Sequence, residues 1–153
     1  MKIEFEILHR RIRFSAQRQV RVKGVTSRLS TGQHILMWDF DHKSWDCVQE
    51  ALLRVQCQFT LPSIYVLKTR EDSYHAYCLR ALDWSDVIHI ISSTAFVDLD
   101  YFRIGIWRGY FTLRITDKPG APEIQHFCTL AAPELIDTDP MSIDQFVNYW
   151  ANQ

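Results

Sequence analysis

The sequence predicts an α+β domain with a ferredoxin-like, RRM-like split βαβ core: a mixed or antiparallel sheet carrying its helices on one face. Three observations lead there. From residue 34 the hydrophobic period runs strand, helix, strand, strand, helix, then further strands. The first of these strands, His34 to Asp41, is almost wholly apolar until it ends in two acids, as a buried strand does when it reaches a sheet edge. The connections between the elements are short and rich in turn-forming residues. With 153 residues the chain is expected to be one domain with a proper core. Within it, 1–33 reads as a basic N-terminal extension, 34–130 as the core, and 131–153 as a linker and C-terminal helix.

Taken in order, residues 2–8 alternate polar and apolar as a half-buried strand. Residues 9–31 are basic; within them Gln19 to Val25 alternates and predicts a second strand or hairpin arm. Ser30-Thr31-Gly32 breaks the chain before the strand at 34–41. Ser44 is placed to cap a helix whose Trp45, Val48, Leu52, Val55 and Phe59 recur at helical spacing until Pro62. Strands follow at 64–69 and 74–80, joined by a loop over 70–73. Asp83 or Ser85 starts a second helix, with Trp84, Val87, Ile88 and Ile91 inward. Residues 96–108 fit helix and strand equally, Phe111 to Thr116 reads as a strand, and Glu123 to Leu130 as its partner across a turn at 118–120. Ser142 to Trp150 is expected to be a terminal helix, with Ile143, Phe146, Val147 and Trp150 inward. Trp38, Trp45, Trp84, Trp107 and Trp150 all fall at apolar positions and read as core.

Composition narrows the function. An apolar content of 47% with 23% charged residues is that of an ordinary globular domain, and no uncharged apolar run reaches the length of a membrane span. The first residues alternate in charge and lack a signal-peptide core, and the four cysteines (Cys47, Cys57, Cys78, Cys128) form no Cys-x-x-Cys pair. A reducing, cytoplasmic setting is therefore expected, without a zinc ribbon or disulfide framework. The net charge of −1 conceals a division: residues 1–30 carry eight Lys/Arg against two Glu, and the remainder nine bases against sixteen acids. Arg10, Arg11, Arg13, Arg18, Arg21 and Lys23 can track phosphates, or decorate the solvent face of a strand pair.

Asp39 and Asp41 stand at i and i+2 of a strand, so they project to one side of the sheet. Paired carboxylates repel unless a cation lies between them, and a hard divalent ion with oxygen ligands is the usual one; a lone Asp-x-Asp also reads as a strand end with solvated acids. In a split βαβ unit the first and third strands are antiparallel neighbours. That brings His75 to the same end of the sheet as the two acids.

These residues resemble the motifs of the archaeo-eukaryotic primase (primase-polymerase) superfamily, in its small viral, phage and plasmid forms. Trp38-Asp39-Phe40-Asp41 is similar to the first motif and Ser73-Tyr74-His75 to the second, while Val97-Asp98 or Leu99-Asp100 supplies the third. The basic run Arg108 to Lys118 looks like the segment that follows. The resemblance spans roughly residues 34–120 and departs from larger members in lacking a zinc-binding insertion and a helicase domain. It implies a DNA primase or polymerase-type nucleotidyltransferase using Mg²⁺ or Mn²⁺, nucleoside triphosphates and a single-stranded DNA template. A separate helicase or replisome protein is an expected partner, and a membrane is not; for a virus or plasmid protein the compartment would be the host cytoplasm. Asp39, Asp41 and Asp98 would be catalytic and metal-binding, with Asp100 as the alternative third ligand. Ser73, His75, Arg108, Arg114 and Lys118 would hold the nucleotide. A nucleic-acid-binding module or replication-initiation protein of the same fold, without catalysis, is the alternative. A rolling-circle endonuclease is disfavoured, because no His-x-His pair occurs.

Overall fold

In the computed structural model the described residues are 2–7, 10–15, 19–116, 123–132 and 146–152, with side chains over 23–116 and 123–132. Among the described residues the architecture is α+β, with three helices and antiparallel sheets. β1 (Lys2–Ile7) and β2 (Arg10–Ser15) pair as a two-stranded ribbon. β3 (Gln19–Thr26), β7 (Thr112–Arg114) and β9 (Phe146–Asn152) form a second sheet in the order β7-β3-β9. The third sheet contains β4 (His34–Phe40), β5 (Ile64–Arg70), β6 (Ser73–Leu82) and β8 (Gln125–Leu130), in the order β4-β6-β5-β8. The helices are α1 (Trp45–Gln58), α2 (Trp84–Ser92) and α3 (Leu99–Arg108). Among the described residues no helix is long and apolar enough to cross a membrane.

β4 is deeply buried: Ile35, Leu36, Met37, Trp38 and Phe40 are wholly inaccessible. So apolar a strand cannot stand as a bare sheet edge, and it does not. β6 pairs along one side of it, and on the other side the Ile35 amide donates to Ser27 O at 2.8 Å. Ser27, itself fully buried, is a junction between the two larger sheets. Its amide donates to Phe111 O at 2.9 Å, and its Oγ accepts from the Phe111 amide at 3.0 Å and meets His34 Nδ1 at 3.1 Å. Burial, reinforced by nearby Arg28, lowers the pKa of His34, which keeps it neutral in this setting. Trp38, whose indole donates to Thr94 Oγ1 at 3.0 Å, fastens the same strand to the end of α2.

α3 settles the segment that sequence left between helix and strand. Asp98 caps it, accepting from the Tyr101 amide at 2.6 Å, and Gly109 ends it at φ 77°, a left-handed turn that glycine enters without strain. Its inner side is aromatic: Tyr101 stacks on Phe111 with ring centroids 5.1 Å apart, and Phe102 follows at 6.1 Å. Gly105 lies under the same Phe111 ring, so close that an added Cβ would overlap it. Gly105→Ala is therefore expected to destabilise the protein by about 1–3 kcal/mol, the usual range for overpacking a core. Urea unfolding checks this, and a midpoint equal to wild type would refute the packing argument.

Several expectations need correction. The C-terminal segment is strand, not helix, over 146–152; residues 142–145 lie outside the described ones. Phe146, Val147, Tyr149 and Trp150 favour an extended backbone, and β3 offers seven partners from Gln19 to Val25 that an isolated helix would lack. β8 pairs with β5, not with the strand at 112–114, which pairs instead with β3. The expected turn at 118–120 falls outside the described residues. The 70–73 loop shrinks to Glu71-Asp72, with Arg70 and Ser73 opposite each other in the ladder. Among the tryptophans, Trp38 is core and Trp45 and Trp84 pack against it, but Trp107 is 85% exposed. Trp150 lies on β9, outside the residues whose side chains are described.

Candidate functional site

The acids sit where the antiparallel pairing of β4 and β6 ends. Asp39 faces His75 directly across the ladder, and its Oδ1 lies 3.7 Å from His75 Nε2. Both side chains are mostly buried, at 22% and 8% exposure. Asp41, just beyond β4, is paired with Arg70 at 3.1 Å. The third acid is brought in by the backbone: the Asp98 amide donates to Asp39 O at 2.8 Å, and Tyr101 Oη donates to Met37 O at 2.9 Å. The start of α3 is thus tied to the end of β4 by two hydrogen bonds.

This grouping has an electrostatic consequence. The carboxyl of Asp39 is pushed up from 3.8 to about 7, first by burial, then by the charges of Asp41 and Asp98. Arg70 and Arg114 work in the opposite direction and do not outweigh them. Near neutral pH, then, the Asp39 carboxyl stands between its neutral and its charged form. A buried carboxyl displaced this far by specific neighbours is a mark of functional sites, though ion-pair networks also produce it.

Arg70 organises the rim. Its Nε donates to Ser73 Oγ at 3.0 Å, and its Nη2 lies 3.1 Å from Asp41 and 3.4 Å from His42 Nε2. The His42 amide also reaches Ser73 Oγ at 3.4 Å, and the Lys43 amide donates to Asp72 O at 2.8 Å. His42 and Asp72 have φ of 56° and 49°, left-handed values that residues with a Cβ adopt sparingly. The guanidinium and Ser73 clasp two strained turns beside the acids. Sequence reading placed Arg70 in a loop and missed it. The signal was its position at the end of β5, which runs parallel to β4 and so finishes at the same edge as Asp39 and Asp41. Because Arg70 lowers the Asp39 pKa, Arg70→Ala is expected to raise it further. Carboxyl-carbon NMR titration of Asp39 checks this, and an unchanged or lower midpoint would contradict the geometry.

The other expected site residues are dispersed. Asp100 is 85% exposed and 3.7 Å from Arg103 on its own helix, and it is absent from the charges that act on Asp39. Arg114, on β7, is close enough to act on Asp39 and donates from Nη1 to Thr116 O. Ser73 is buried in the rim, while Arg108 is exposed in the last turn of α3. Lys23 is exposed on β3, and Lys118 and Arg18 lie outside the described residues. Arg10, Arg11 and Arg13 fall on β2 and Arg21 on β3, where side chains are outside the description. No family model matches the chain, and comparisons with curated proteins and with solved structures find no match.

Whether the cluster suits a divalent ion can be judged from its donors. Its three carboxylates offer hard oxygen ligands, which are the Mg²⁺ and Mn²⁺ type, and a bound cation would favour the charged form of Asp39. Their present orientations do not converge: Asp41 turns to Arg70, and Asp98 Oδ1 accepts from Tyr101. Among the described residues no group of three or more His, Cys, Asp or Glu side chains is arranged to hold a metal ion. The fit is one of charge and chemistry, and it requires Asp41 to exchange its arginine for the ion.

Proposed function

We propose that this chain is a metal-dependent nucleotidyltransferase of DNA primase-polymerase type, which adds nucleotides to a primer, or starts one, on a single-stranded DNA template in the cytoplasm. The observation that carries the proposal is the Asp39 carboxyl, raised to about 7 by burial and by Asp41 and Asp98 while facing His75 across two strands. Supporting it, β4 and β5 flank β6 and are joined through α1, which is the connection of a split βαβ unit in a ferredoxin-like or RRM-like fold. β8 lies outside β5, an addition that the expected core does not require.

In this reading Asp39, Asp41 and Asp98 hold Mg²⁺ or Mn²⁺. When bound, the ions supply the positive charge that favours deprotonation of the attacking 3′-hydroxyl and offsets charge on the departing pyrophosphate. The chain's own groups do the rest. His75, fixed in the ladder opposite Asp39, is placed to donate from its ring to a phosphate oxygen of the incoming nucleoside triphosphate. Arg70 and Arg114, the two cations that act on Asp39, are placed to neutralise the phosphates. The test is primer extension with Mg²⁺ or Mn²⁺, comparing wild type with Asp39→Ala, Asp41→Ala. Equal extension by both proteins would overturn the proposal.

The second reading is a nucleic-acid-binding module without catalysis. Favouring it are the acids that do not converge and the engagement of Asp98 as a helix cap. Calorimetry with Mn²⁺ separates the two, since such a module needs no ion.

A further inference from the structure

The placement of Arg70 takes more structure than a surface ion pair requires. Between Lys68 and Arg70 the register of β5 against β6 shifts by one residue, which sets Arg70 opposite Ser73. Thr69, the residue inside the shift, is buried and donates from Oγ1 to Ser73 O at 3.3 Å, fixing the irregularity in place. The guanidinium is thereby divided between two partners of different kinds. Its Nε donates to the hydroxyl of Ser73, a fully buried residue, at 3.0 Å. Its Nη2 reaches Asp41 at 3.1 Å in a pair whose side chains are 47% and 39% exposed. An ion pair that wet contributes little and exchanges readily, whereas the Ser73 anchor does not depend on it.

We propose that Arg70 is a displaceable counter-ion: it pairs with Asp41 in the metal-free protein and, once Asp41 turns to a divalent cation, offers its Nη edge to the triphosphate of the incoming nucleotide. The exchange rests on the polymerase reading above and adds an order of events to it, with the cation opening the phosphate site. Asp98 is held as the cap of α3 and Asp39 is mostly buried, which leaves Asp41 as the acid of the three whose partner can change.

Electrostatics drives the exchange. A divalent cation on Asp41 repels the guanidinium beside it and outcompetes its single charge. The anchor on Ser73 keeps the displaced side chain at the rim, and its planar fork matches a phosphate bidentately, as a lysine would not. Space for the movement exists: Arg70 lines a cavity of about 300 Å³ together with Lys68, Thr69, Glu71, Glu123 and Gln125. Glu71 and Glu123 are the competing acceptors there, and the phosphate has to draw the guanidinium away from them.

The test is calorimetry on the full chain at pH 8, above the Asp39 midpoint, with two probes: Mn²⁺ alone, and inorganic tripolyphosphate in EDTA. Arg70→Gln is expected to bind Mn²⁺ about three- to fivefold more tightly than wild type, because a competing charge has gone. Asp41→Asn releases Arg70 without any metal, so it is expected to bind tripolyphosphate more tightly than wild type by a similar factor of about three to five. That gain should vanish in the double variant Asp41→Asn, Arg70→Gln. A merely structural arginine, or a damaged fold, would weaken the binding of both probes. Where wild type binds Mn²⁺, equal or weaker binding by Arg70→Gln would overturn the exchange and leave the polymerase reading standing. A tripolyphosphate gain that survives the loss of Arg70 would also overturn it, by assigning the effect to the Asp41 charge alone. No gain in Asp41→Asn would overturn it too, since the released guanidinium would then have gone to Glu71 or Glu123. Failure of both wild type and Arg70→Gln to bind Mn²⁺ would remove the metal reading and the exchange together.

Discussion

Primer extension by the Asp39→Ala, Asp41→Ala variant is expected to fall at least a thousandfold, to the background of the assay. A factor of a thousand corresponds to about 4 kcal/mol of transition-state stabilisation, which is modest for removing the charge that, on the proposed reading, holds the catalytic metal. The single variants should be almost as inactive as the double one, because ligands of a shared ion act as a unit and their effects do not add. Asp100→Ala provides the contrast. That side chain is exposed, pairs only loosely with Arg103, and does not act on Asp39, so its extension rate should remain within about twofold of wild type. If Asp100→Ala were the inactive protein and Asp98→Ala the active one, the third acid would have been assigned to the wrong side of α3. Asp98→Ala also removes the cap of α3, so its activity has to be read beside its Tm; Asp98→Asn keeps a capping oxygen while removing the charge.

How much of this was legible before any coordinates depended on whether the signal was local. The strand at 34–40 was readable from an apolar run ending in acids, and the expected antiparallel pairing put His75 at the same end of the sheet; that it stands directly opposite Asp39 came only with the ladder. α1 and α2 were readable from their caps and stripes. The C-terminal strand was not: Phe146, Val147 and Trp150 satisfy a helical spacing, and only the β3 backbone, more than a hundred residues away, makes the extended form the better one. Arg70 was lost for a related reason. Its role comes from two parallel strands finishing at one edge, which no short window contains.

Trp107 shows the limit of reading burial from residue type. α3 is apolar on nearly every side, so its period does not say which side faces inward. Gly105 and Phe111 decide it: the helix approaches the Phe111 ring where glycine leaves room, and Tyr101 and Phe102 follow onto the same ring. That rotation turns Ile104, Ile106 and Trp107 to the outside. The smallest side chain in the helix therefore sets the exposure of the largest.

The same acids that serve the proposed chemistry should weaken the metal-free fold as pH rises. The Asp39 carboxyl has its midpoint near 7 in the folded chain and near 3.8 otherwise, so between those values the folded state binds a proton that the unfolded state has released. The unfolded state then binds fewer protons, and stability must decrease with pH. The stabilising proton is fully in place below about pH 4, is lost progressively up to pH 7, and is gone above it. Three pH units correspond to about 4 kcal/mol, a large part of the 5–15 kcal/mol that holds a typical domain together. Asp39→Asn keeps the shape of the side chain and cannot ionise, so its unfolding midpoint in EDTA should change little between pH 5 and 8 on this account. At pH 8 it should exceed that of wild type, although on the proposed reading the variant loses extension. Urea unfolding at several pH values checks both proteins together. An Asp39→Asn protein with the wild-type pH slope would mean that Asp39 is an ordinary ionised carboxylate.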